Sequence, residues 1–123
     1  MARLYVVHGA DNEFLQDVRV NAIEDQYLIT IQNDNNQFLR AHSNEKELYW
    51  DYKVDGWLNY FSFDRATNRL KTIFNKYVKY DEKHGFLQYS DHCRSDIEGT
   101  VFLYGCIENK SEKEFYSITN KRK

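Results

Sequence analysis

A chain of 123 residues, 41% hydrophobic and 16% aromatic, is long enough to bury one compact core without metals or cross-links, and too rich in Tyr and Phe to be disordered. A formal net charge of −2 supplies no general pull toward nucleic acid or an anionic membrane, and the one basic run, Lys121-Arg122-Lys123, reads as a solvated tail. No apolar run reaches the length of a membrane span and MARLYVVHGADNE lacks the features of a secretory signal, so a cytoplasmic protein is expected, with Cys93 and Cys106 as reduced thiols and a single disulfide as the alternative.

In chain order, RLYVVHG (3–9) and FLQDVRVNA (14–22) open the chain as strands. Then come YLITI (27–31), 37–41, 47–52 and 59–64, followed by RLKTI (69–73), 77–81, 86–90 and 100–106, and finally EFYSI (114–118). Alternation with period two marks these segments as strands. The intervening NDNNQ, SNEKE, RATN, DEKHG and ENKSEK hold residues that accept turns or stay solvated. With no Pro and only 5 Gly in the chain, Asn must supply left-handed turn positions.

The strands repeat. Phe38 falls on Tyr77, Leu48 on Leu87, Trp50 on Tyr89 and Phe63 on Phe102, and each subtraction (77 − 38, 87 − 48, 89 − 50, 102 − 63) gives 39. A repeat of this length means one supersecondary unit copied. Two full four-strand units are present, and a third is expected to be split between the termini. There, 3–9 and 14–22 match the third and fourth strands of a unit and 114–118 matches the first. The fold class is therefore all-β, a single-domain β-trefoil over residues 1–123, with a six-stranded barrel capped by hairpins. Leu4, Val18, Leu28, Ile31, Phe38, Leu48, Phe63, Leu70, Ile73, Tyr77, Leu87, Phe102, Phe115 and Ile118 are the expected core. A second chain completing the third unit would make a dimer; otherwise the protein is a monomer.

Through QFLRAHS, ELYW and FSF in one unit and KYVKYDE, FLQYSD and VFLY in the next, the sequence resembles the fascin and hisactophilin-like β-trefoils. KYVKYDEKHGFLQYS with CIENKSEKEFYS is also similar to the fibroblast growth factor and interleukin-1-like branch. The resemblance implies the trefoil fold and carries no functional residue. The Gln-x-Trp signature of ricin-type sugar-binding trefoils does not occur, and the chain almost ends where growth factors place their basic heparin-binding segment.

No HxH or HExxH pair is present, and Asp91, His92, Cys93 and Asp96 read as loop residues, so neither metal nor cofactor is expected. Adjacent Ser90, His92 and Cys93 do not make a dyad, and no phosphate-binding Gly-rich loop occurs, so the protein is not expected to be an enzyme. The outstanding cluster is LYWDYKVDGWLNY (48–60). Trp50, Tyr52, Trp57 and Tyr60, with Asp55, are the candidate binding residues, because Tyr and Trp join large contact area to a polar tip. The expected function is a non-catalytic recognition module for a protein partner. The alternative is a lectin-like module in which these rings stack on a glycan and Asp51, Asp55 and Asn59 accept from its hydroxyls.

Overall fold

The computed structural model describes residues 1–24, 28–54, 56–89 and 98–105. Its strands are β1 (Ala2–His8), β2 (Asp11–Glu24), β3 (Leu28–Gln32), β4 (Phe38–Arg40), β5 (Tyr49–Asp51), β6 (Phe61–Asp64), β7 (Arg69–Thr72), β8 (Tyr77–Asp81), β9 (Gly85–Tyr89) and β10 (Val101–Gly105), with one 3₁₀ turn at Gly56–Asn59. Among the described residues no helix is long and apolar enough to cross a membrane.

Six strands form a closed antiparallel ring. β3 pairs β6, β6 pairs β7, β7 pairs β10, β10 pairs β1, β1 pairs β2, and β2 returns to β3. Closure leaves no edge strand in the ring to template aggregation. The β4–β5 hairpin hangs from β3 and the β8–β9 hairpin from β7, each at the same place in its unit. β1 and β2 are joined directly across Gly9 and Ala10, with Gly9 at a φ of 61° as a two-residue hairpin turn requires. The architecture is an all-β, trefoil-like barrel.

The 39-residue repeat is visible in packing. Ile31 and Leu70, Leu39 and Val78, Leu48 and Leu87, and Phe63 and Phe102 are buried in pairs at that spacing. Phe61 is the largest fully buried side chain and packs in a cluster with Leu4, Val20, Ile29 and Val101. Each such side chain contributes roughly 1.5–3 kcal/mol through removal from water. The units also interlock: buried Gln88 donates from its amide to the carbonyls of His42 (2.5 Å) and Glu45 (2.9 Å), and the Leu48 N–H bonds Phe86 O at 2.9 Å. Asn36, Asn68 and Asn75 take positive φ, so Asn fills the left-handed turn positions as expected.

Several assignments differ from expectation. By sequence β1 matches the third strand of a unit, yet it stands in the ring between β10 and β2. Its alternating Ala2, Leu4 and Val6 face the core, while Arg3 and Tyr5 face outward, which suits a barrel stave. Phe38 and Tyr77 are only half-buried, because the next residues, Leu39 and Val78, point inward. Leu28 is likewise half-buried beside fully buried Ile29. Ile73 is exposed because β7 stops at Thr72 and Ile73 begins the turn. The expected strand 114–118, with Phe115 and Ile118, and the thiols Cys93 and Cys106 lie outside the described residues.

Candidate functional site

The aromatic segment 48–60 does not present its rings as one surface. Trp50 is half-buried against the core and meets Phe86 edge-on at 5.9 Å. The Tyr49 hydroxyl donates to Glu45, and that hydrogen bond raises the phenol pKa. Tyr60 is half-buried, with its N–H on Trp57 O at 2.9 Å. Tyr52 and Trp57 are 70% and 69% exposed. Asp55 lies outside the described residues. Asn59, expected to meet a ligand, is fully buried and donates to Leu39 O at 3.2 Å. Asp51 bonds Arg40 at 3.0 Å and accepts from the Lys53 N–H, so backbone and ion pair hold its pKa below the usual carboxylate range.

A cleft of about 730 Å³ lies elsewhere, between the β1–β2 hairpin, the β8–β9 turn and residues 98–99. Three backbone hydrogen bonds tie its walls together. Tyr80 N–H donates to Gly99 O (2.8 Å), Gly99 N–H to Val7 O (2.8 Å), and Val7 N–H to Thr100 O (3.1 Å). Gly99 has a φ of 90°, and a Cβ there would stand 3.2 Å from Tyr80 O, so both conformation and close approach require glycine.

Carboxylates and imidazoles line this cleft. His8 Nδ1 lies 3.8 Å from Glu13 Oε2 and 3.7 Å from Glu98 Oε1. Asp81 accepts from the His84 N–H at 2.6 Å and faces His84 Nδ1 at 3.2 Å. The backbone bond first, and the imidazole with it, hold the Asp81 pKa below the ordinary carboxylate value. Glu82 and Lys83 complete the polar wall. On the apolar side, Tyr80 is fixed edge-on to Phe86 at 5.1 Å, and Phe14 leans on Tyr5 at 5.9 Å while remaining 50% exposed.

An aromatic ring open to solvent beside several carboxylates can stack on an apolar ring face and accept hydrogen bonds from hydroxyls around its edge. Among the described residues no group of His, Cys, Asp and Glu is arranged to hold a metal ion. No local signal in the sequence marks the cleft, because its residues come from the ends of three separate strands, β1, β2 and β8, and from solvated turn residues. They are joined only when β1 stands beside β10, and that neighbourhood has no local signal.

No protein-family model and no curated protein matches the sequence. Among solved structures, the fold is similar to that of SeviL bound to asialo-GM1 saccharide, with a TM-score of 0.58 and 11% identity over 84% of this chain and 94% of that one. At that identity the likeness concerns the fold, and it agrees with the all-β, trefoil-like ring described above.

Proposed function

We propose that the protein is a non-catalytic, lectin-like carbohydrate-binding module whose ligand occupies the cleft between the β1–β2 hairpin and the β8–β9 turn. The observation that carries this reading is that Phe14, 50% exposed, lines the same cleft as Glu13, Asp81 and Glu98. Carboxylates accept from sugar hydroxyls without needing to be protonated, and a ring takes the apolar face of a pyranose. The similarity of fold to a protein solved with a saccharide bound supports the reading. The fascin-like pattern does not bear on it, since Leu39, Ala41, Leu48, Phe61 and Phe63 in that pattern are core residues. Closure of the ring within one chain supports action as a monomer.

Among the described residues, four carboxylates, Glu13, Asp81, Glu82 and Glu98, against one lysine, Lys83, favour a neutral sugar unit over a sialylated or sulfated one within this cleft. A glycan array followed by calorimetry tests this. Phe14→Ala and Asp81→Asn are each expected to weaken the best neutral ligand about tenfold, the effect of losing one stacked ring or one charged hydrogen bond. A folded protein that leaves the array blank overturns the reading.

The exposure of Tyr52 and Trp57 supports a second reading, docking of a protein partner, with Trp50, Asp55 and Tyr60 as flanking residues. Glycan binding that survives Tyr52→Ala with Trp57→Ala, but not Phe14→Ala, assigns recognition to the cleft. Loss in the double variant alone assigns it to the segment 48–60.

A further inference from the structure

Arg69, at the start of β7, is 8% exposed. Its Nε is buried without a hydrogen-bond partner, and among the described residues the side chain makes no ion pair. Its guanidinium carbon stands 5.7 Å from the centroid of the Tyr77 ring. The facing residue across the β6–β7 ladder is acidic, Asp64, but that carboxylate accepts from the Ala66 N–H (2.9 Å) and the Thr67 hydroxyl (3.2 Å) within its own turn.

Arginine cannot escape burial by losing its proton, so the charge must be compensated in place. A tyrosine face attracts the cation but offers its N–H groups no acceptor. Beside Arg69 is a cavity of about 180 Å³, lined also by Asn12, Thr67, Thr100, Phe102 and Tyr104 and, among the described residues, by no acidic one. Asn12 and Tyr104, which also line it, carry side chains able to donate hydrogen bonds. This cavity has the opposite electrostatic character to the acid-lined cleft, although both are lined by Val7 and therefore adjoin.

We propose that the Arg69 cavity is an oxyanion site, taking one carboxylate, sulfate or phosphate group. The planar guanidinium is suited to grip such a group with two parallel hydrogen bonds. The group arrives either as a free inorganic anion or as the acidic substituent of a saccharide whose neutral sugar unit lies in the larger cleft. The inorganic arm of the test does not depend on the carbohydrate reading.

The test follows the Arg69 Nε–H and the backbone amides of Thr67 and Tyr104 by nitrogen-proton NMR while sodium sulfate, or separately glucuronic acid, is added at constant ionic strength against sodium chloride. Sulfate is expected to produce a saturable shift of these signals, absent in Arg69→Met. In Arg69→Lys, which keeps the charge but not the fork, binding is expected to be about tenfold weaker. Glucuronic acid binding where glucose does not identifies the saccharide source, and sulfate binding alone identifies the inorganic one. A wild-type response that is linear and unsaturable with both probes overturns the site whatever the variants do. So does an equal saturable response in a folded Arg69→Met.

Discussion

Asn36 and Asn75 occupy the same point of two successive units and adopt the same left-handed backbone, with φ of 63° and 60°. Each donates its N–H back to the residue three before it, Asn33 O at 3.1 Å and Thr72 O at 3.0 Å. Each turn is then closed by a second bond, from Asn33 N–H to Gln37 O and from Thr72 N–H to Lys76 O. The repeat thus extends from side-chain spacing to individual backbone hydrogen bonds.

Asn75→Ala is expected to destabilise the protein by about 1–2 kcal/mol, because a Cβ without a local polar partner is penalised in the left-handed region. Asn75→Gly is expected to be close to neutral. Urea unfolding midpoints check both, and an alanine variant as stable as the glycine one would refute the backbone argument.

Gln88→Leu keeps the volume but removes the donor that bonds the carbonyls of His42 and Glu45. The expected cost is about 1–3 kcal/mol for the orphaned acceptors. Amide exchange should accelerate for residues 42–48 more than for the barrel strands, since this side chain pins one unit's loop to the next.

Asp81 gives a pH signature. Its folded pKa lies below the unfolded value, chiefly through the His84 N–H. The stabilisation it supplies is therefore present above the unfolded carboxylate pKa and lost as pH falls through the lowered folded one. Asp81→Asn should be less stable than wild type at neutral pH, with the gap closing in acid. Parallel thermal melts across pH decide it, and a gap that widens on acidification contradicts the assignment.

Core and surface aromatics should separate cleanly. Phe61→Ala, at a fully buried position, is expected to cost about 3–5 kcal/mol. Trp57→Ala, at 69% exposure, should stay within about 0.5 kcal/mol. Denaturant unfolding of the two variants checks this, and a large loss from Trp57→Ala would mean that the ring is packed.

The strands were legible because period-two alternation and turn-forming Asn are local signals, as in Phe61-Ser62-Phe63-Asp64, whose two Phe are buried. The inward phase was less so. QFLRAH and KYVKY present bulky residues at adjacent positions, and only the ladder decides that Leu39 and Val78 turn inward. The segment 48–60 stood out by composition, but composition does not distinguish Trp50, packed on Phe86, from exposed Trp57. The cleft and the Arg69 cavity were invisible for one reason. Both depend on which strand stands beside β10, a non-local fact.

The pairing of Ala2 with Gly105 has a consequence for synthesis. The barrel seam joins β1 to β10, so during translation β1 can pair with β2 while its other edge waits until β10 is made. Contacts this distant in sequence slow folding. Until residues 101–105 emerge, the nascent chain carries an open edge that a chaperone, or another nascent copy, can occupy.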